Sequence, residues 1–272
     1  MAERIGEGEE MHFLDHLEEL RWRIIRAIIG VVVFAIIAFL QKDILFDVII
    51  FGPTKPNFLT YNFFCWLSEN IGLGENLCFR LDIDSFQNIE MVGQFTYHIF
   101  SSLIFGFILA FPYVFYQFWA FIKPGLTKTE VKSARGMVFW VSLLFMSGVL
   151  FAYFVICPLT IKFLSEYSVA DQIKNIFKFD DYISTINKLT LITGLFFQMP
   201  ILIYFLSKLG LVSPKILKKY RKHALVGVLV LSAIITPPDV ASQILVSIPI
   251  IFLYEIGILI SKRVTKKMQT QN

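Results

Sequence analysis

Long uninterrupted runs of apolar residues constrain this chain more than any other feature. Residues 97–116 and 136–157 contain no Asp, Glu, Lys or Arg, and 24–40 contains only Arg26, close to its start. A helix needs about 20 apolar residues to cross a bilayer core of about 30 Å. The runs are continuous, unlike the short alternating strands of a membrane barrel. They predict an all-α integral membrane protein.

The composition agrees with this prediction. Hydrophobic residues make up 56% of the 272 residues and charged residues only 17%, whereas soluble domains have about 45–50% and about 25%. A soluble enzyme of this size and a disordered chain are both excluded. The net charge of +4 indicates neither nucleic-acid binding nor an acidic substrate.

Six spans are predicted, with both termini on one side of the membrane. The last two are short, because Thr-Pro-Pro-Asp at 236–239 forces a tight turn between them. One set of alternating segments carries 18 of the 25 Lys and Arg residues, which places both termini in the cytoplasm. The predicted spans of this single membrane domain are 24–40, 97–116, 136–157, 189–206, 224–236 and 240–260.

Two substantial loops, 41–96 and 158–188, then lie on the outer side. Apolar stretches such as 58–67 predict that the longer loop is structured, as a helix lying over the outer mouth. Cys65 and Cys78 both fall in this loop, in an oxidising compartment, and we expect them to form a disulfide. Two free, partly buried thiols are the alternative.

No motif for catalysis or cofactor binding is present. The four His and three Cys form no metal-binding spacing, and neither a P-loop nor GxGxxG occurs. The residues therefore indicate a non-enzymatic channel, transporter, receptor or translocase component without a cofactor.

Two cytoplasmic segments carry notable carboxylates. Residues 11–26 form an amphipathic helix in which Glu19 lies four residues before Arg23. Intrahelical pairing with Arg23 is the simpler interpretation; a carboxylate waiting for a basic partner is the functional one. Glu130 is the one acidic residue of the 117–135 loop, among four bases, and follows an aromatic cluster. An interfacial aromatic belt and a helix start near Glu130 would also explain that segment.

Polar groups inside the predicted spans are costly and are functional candidates by default. Four such residues are present: Gln198, Asp239, Gln243 and Glu255. We predict that each contacts a partner or another polar group in the membrane. Plainer explanations exist for three of them. Gln198 could bond to a neighbouring helix, Asp239 could cap the last helix, and Glu255 could be interfacial.

Several segments together resemble the twin-arginine translocase subunit TatC family, in matching order over nearly the whole chain. The segments are HLEELR at 16–21, YQFWAFIKPGL at 116–126, FAYF at 151–154, MP at 199–200, TPPDV at 236–240 with SQ at 242–243, and EIG at 255–257. The family usually has a glutamate where this chain has Gln198.

The resemblance implies a receptor in the cell inner membrane that binds signal peptides bearing two arginines. It implies assembly with TatA/TatB-type single-span subunits and with other copies of itself, to move folded proteins using the proton-motive force. Glu19, Arg21, Phe121 and Glu130 would form the signal-peptide site. A small-solute secondary transporter is the alternative expectation, and inverted repeats would favour it; we find none.

Overall fold

Helices account for most of the residues that the computed structural model describes, which are 13–71, 78, 81, 83, 85–123, 136–170, 172, 175–235 and 240–269. Within these residues, strand-like pairing is limited to one bridge, between Gln87 and Lys178. In chain order the helices are α1 Phe13–Leu40, α2 Leu59–Ile71, α3 Gly93–Ile122, α4 Met137–Phe151, α5 Cys157–Glu166, α6 Phe179–Phe196, α7 Met199–Lys208, α8 Pro214–Lys219, α9 Arg221–Ile235 and α10 Val240–Gln269.

Helices α1 and α3 pack antiparallel along their length. His16 at the start of α1 stacks on Phe121 at the end of α3, and Phe39 at the end of α1 stacks on His98. Between these contacts the backbones approach closely, because a Cβ on Gly106 would lie only 2.6 Å from the Ala35 backbone nitrogen. A side chain at residue 106 would force the two helices apart.

Two further crossings are interrupted helices. A π-helical turn, Ala152–Ile156, joins α4 to α5, so that Met137–Glu166 is one continuous helical segment. Phe197 and Gln198 separate α6 from α7, and Pro200 stands in the first turn of α7, where a missing N–H is tolerated. Phe145 of α4 stacks on Phe111 of α3 with ring centroids 3.6 Å apart, which ties these crossings to the first pair.

Helices α9 and α10 form the last antiparallel pair. The hydroxyl groups of Ser232 and Ser247 lie 2.8 Å apart, and Ser207 of α7 donates to Ser261 of α10 at 2.7 Å. Trp119 of α3 contacts Phe205 of α7. The start of α1 and the ends of α3, α7 and α10 therefore gather at one end of the bundle, here called the terminal end; the opposite end is the loop end.

Five helical segments of the described chain are long and apolar enough to span a membrane, and they match five of the six predicted spans. The predicted fifth span, 224–236, overlaps α9, which has 15 residues and is not one of these five membrane-length helices. The sixth is longer than predicted: α10 has 30 residues. Hydropathy marks only the apolar part of a helix, and α10 continues through Lys and Arg, which are good helix formers. For the same reason the fourth crossing begins at Phe179 rather than near residue 189.

The described residues of the two long loops, 41–96 and 158–188, include helices and pack on each other at the loop end. The longer loop contains α2, close to the helix expected over 58–67. Backbone bonds join Gln87 to Phe177 and Phe179, and the Tyr182 hydroxyl donates to the Ile50 carbonyl at 2.7 Å. These contacts cover the loop end of the bundle with an apolar cluster.

Two features stabilise the longer loop internally. Cys65 and Cys78 are joined by a disulfide. Burial raises the pKa of the Tyr61 hydroxyl, so this group stays protonated and donates to the Pro53 carbonyl.

Candidate functional site

The carboxylate of Glu19 is held at the terminal end of α1. Arg23 donates from Nε to Glu19 Oε1 at 2.9 Å, and its Nη2 donates to the same oxygen. Both side chains are about one-quarter exposed. Glu18 and Arg21, the neighbouring charges, are exposed, and no ion pair joins them in the described part of the chain. The intrahelical pair expected from spacing is therefore present, and it occupies one oxygen of Glu19.

Phe121 lies in the same patch as Glu19. Its ring stacks on His16, with centroids 4.4 Å apart and the planes 18° from parallel. His16 precedes Glu19 by three residues on α1, which places the two side chains on neighbouring positions of one helical face. We call the group His16, Glu19, Arg23 and Phe121 the terminal patch. Arg21 is exposed beside it, and Glu130 lies outside the described residues.

Gln198 lies at the break between α6 and α7. Its Nε2 donates to the Val141 carbonyl of α4 at 3.2 Å, while its Oε1 is buried without a hydrogen-bond partner. The bond to a neighbouring helix is the plainer explanation given for this residue. The residue stands nineteen positions from the start of α6 and ten from the end of α7. It therefore lies closer to the terminal end than its central position in the predicted span 189–206 implies.

Two of the other predicted membrane contacts, Gln243 and Glu255, also bond within the chain. Gln243 Nε2 donates to the Leu229 carbonyl of α9 at 2.8 Å. Glu255 Oε2 accepts from Arg221 Nη2, which joins α10 to the start of α9. Asp239 lies outside the described residues.

A row of buried polar residues on α6 escaped the sequence analysis. Asn187 Nδ2 donates to Ser101 Oγ of α3 at 2.8 Å, and Thr190 and Thr193 are also buried. A signal was present, since these three polar residues recur every three positions and share one side of a helix. They were not predicted because Asn187 lies outside the predicted span 189–206 and threonine is common in membrane helices.

Arg221, the partner of Glu255, was also missed. It stands in a run of bases that the orientation count treated as a group, and no local spacing connects it with a carboxylate thirty-four residues later.

Comparison with known proteins matches the whole bundle to one family. Residues 15–249 match the model of the family described as Sec-independent protein translocase protein (TatC). The TatC protein of Blattabacterium is 42% identical over 263 residues, which cover 96% of this chain and 99% of that protein. The TatC protein of Aquifex aeolicus is 35% identical, covering 94% of this chain and 97% of that protein.

A solved structure agrees with the sequence relatives. A crystal structure of the twin-arginine translocase receptor TatC superposes with a TM-score of 0.73 at 34% identity, covering 92% of this chain and 99% of that one. These matches do not support the alternative of a small-solute transporter. This chain belongs to the TatC family of Sec-independent protein translocases.

Proposed function

We propose that this chain is the receptor subunit of a twin-arginine export system, that it binds twin-arginine signal peptides at the terminal patch, and that the patch faces the cytoplasm. The observation that carries the proposal is the Glu19 carboxylate, which binds a guanidinium group in this structure, that of its own Arg23. A site that accepts one arginine in this geometry can accept another.

The chemistry of the patch suits arginine. A guanidinium is planar and always charged, and it can offer two parallel donors to a carboxylate. Its plane can also lie against an aromatic ring, and the stacked rings of His16 and Phe121 provide one beside Glu19. We assign the second arginine of the signal peptide to Glu130. Arg21 would shape the charge around the site.

Orientation follows from the basic residues. Eighteen of the 25 Lys and Arg residues fall in the alternating sequence segments assigned to one side of the membrane, among them Arg23 and Lys208 at the terminal end, and the side with more bases faces the cytoplasm. We therefore place the chain in the cell inner membrane with both termini inside. The disulfide in the opposite loop supports this placement, because such bonds persist in oxidising compartments.

Gln198 is our candidate for contact with a single-span TatA/TatB-type partner. Its Oε1 is buried and unpaired, and a buried acceptor without a donor costs about 1–3 kcal/mol. The residue as a whole is only partly buried, so a rotation of its side chain would present Oε1 to a polar group on a partner helix. Asp239, Gln243 and Glu255 remain predicted contacts, and Gln243 and Glu255 are weaker candidates because each already bonds within the chain.

Charge reversal tests the signal-peptide site. Glu19→Lys and Glu130→Lys should each abolish export of twin-arginine cargo while the protein still inserts, because attraction becomes repulsion at a distance where charge pairs couple by about 1.5–7 kcal/mol. Glu18→Lys is the matched control, since Glu18 is adjacent and exposed, and it should export normally. Normal export by the two site variants would contradict the assignment.

A further inference from the structure

A groove between α9 and α10 opens near the terminal end, away from the terminal patch. It has a volume of about 220 Å³, enough for roughly seven groups the size of a water molecule. Arg221, Ala224, Leu225 and Val228 line one side and Ile251, Tyr254 and Glu255 the other. On each helix these residues recur at three- and four-residue intervals, so each helix presents one continuous face to the groove.

The groove is amphipathic along its length. One part of its lining is apolar and consists of Ala224, Leu225, Val228 and Ile251. Its charged groups, Arg221 and Glu255, form an ion pair where α9 begins. Their side chains are 56% and 36% exposed, so a molecule at the membrane surface can reach them. An occupant needs an apolar portion for the lining and a polar head for the charged end.

The charge around the groove selects the sign of that head. From residue 207 to the C-terminus the chain has ten Lys and Arg residues but only two acids, Asp239 and Glu255. Arg221 is the base that lines the groove itself. A guanidinium has five donors, and the carboxylate of Glu255 accepts from one of its nitrogens. The remaining donors and the surrounding bases favour an anion.

We propose that this groove is a binding site for one anionic phospholipid, whose phosphate contacts Arg221 and whose acyl chain lies against Leu225, Val228 and Ile251. Clusters of bases beside a membrane helix attract anionic headgroups, and the adjacent apolar channel makes the site specific for a lipid rather than free phosphate. Glu255 competes with the phosphate for Arg221, so the Arg221–Glu255 pair lowers the affinity for the lipid.

Native mass spectrometry of the purified full-length chain in detergent tests the site, with phosphatidylglycerol as the probe. High salt suppresses diffuse attraction, because the screening length falls to about 3 Å at 1 M. We expect Arg221→Gln to reduce phosphatidylglycerol retention about fivefold, and Glu255→Gln to increase it by a similar factor because Arg221 is released. Lys222→Gln, a neighbouring base that does not line the groove, should change retention less than twofold.

Leu225→Trp tests the apolar part of the groove without changing its charge. It fills the apolar channel and should lower retention of the lipid, with thermal unfolding measured to show that the variant is folded. If Arg221→Gln and Lys222→Gln lose phosphatidylglycerol equally, the lipid is held by diffuse charge attraction. If Arg221→Gln and Glu255→Gln both lose it, the Arg221–Glu255 pair is only structural. Either result overturns the proposal. Retention of phosphatidylcholine equal to phosphatidylglycerol, or competition by inorganic phosphate, would overturn it as well.

Discussion

Glu19 forms the intrahelical pair that the spacing of α1 predicts, and the proposed signal-peptide site uses the same carboxylate. Its pair with Arg23 is an ordinary intrahelical bond between residues four apart, worth about 0.2–0.5 kcal/mol in exposed helices. The same carboxylate stands three residues after His16 on α1, whose ring stacks on Phe121. Because the pair is weak, an arriving arginine can displace Arg23 at little cost.

Arg23→Gln should therefore free Glu19 without harming the fold. We expect the free energy of unfolding to change by less than about 0.5 kcal/mol. Affinity for a twin-arginine peptide should rise up to about twofold, since the competing pair of about 0.2–0.5 kcal/mol is gone. Fluorescence anisotropy with a labelled peptide measures the affinity. Arg23→Lys retains a competing cation and should stay near the original value; a large loss of affinity in Arg23→Gln would instead make Arg23 a positioning residue.

Gln198 differs from the glutamate usual in the family, and its contacts explain why an amide fits. An ionised carboxylate buried at this helix break would cost a few kcal/mol, whereas the amide donates to Val141 and leaves an acceptor free. A neutral, protonated glutamate offers the same donor and acceptor.

Gln198→Glu should therefore retain export, and Gln198→Leu should weaken association with a single-span partner by about 1–2 kcal/mol. Crosslinking from position 198 in the assembled complex reports the contact directly. If no adduct to a partner forms, and Gln198→Leu lowers only the unfolding temperature of the isolated chain, the internal bond to Val141 is the whole function of this side chain.

The packing of α1 against α3 fixes the terminal patch, because His16 and Phe121 stand on different helices. Their close approach depends on the missing side chain of Gly106. Hydropathy identified both helices, but it carries no information on which helix packs against which or on where a glycine permits close contact.

Gly106→Ala should push α1 away from α3. The new Cβ would lie 2.6 Å from the Ala35 backbone nitrogen, and overpacking costs about 1–3 kcal/mol. Gly227→Ala is the matched control, since a Cβ there meets nothing within 4 Å in helix α9, and it should be neutral or slightly stabilising. Thermal unfolding in detergent compares the two; equal stability would contradict the close α1–α3 contact.

The disulfide should stabilise the longer loop, which covers the loop end of the bundle. Cys65 and Cys78 are 13 residues apart, and closing a loop of that size contributes about 3 kcal/mol. Alkylation of native, unreduced protein should leave both thiols unlabelled, and Cys65→Ser should lower the unfolding temperature. Full labelling of both without reductant would refute the bond. The buried Cys157 provides an internal reference after denaturation.

The class of protein and the approximate positions of five membrane-length helices could be predicted from the sequence, because the apolar runs have the length of a bilayer core. The helix ends could not, since α10 continues through Lys262 and Arg263 after hydropathy falls. Individual partners were predictable only when near in sequence. The Glu19–Arg23 pair follows from spacing, whereas Arg221–Glu255 and Gln198–Val141 depend on how helices far apart in the chain pack.

The terminal patch should bind arginine in preference to lysine. The most direct test measures binding of the full-length chain to a twin-arginine signal peptide and to its twin-lysine variant, with photocrosslinkers at positions 16 and 121. We expect crosslinks from both positions to the twin-arginine peptide, loss of those crosslinks with the twin-lysine peptide and with Glu19→Lys, and no loss with Glu18→Lys. Equal crosslinking of the two peptides at the terminal patch would contradict this preference.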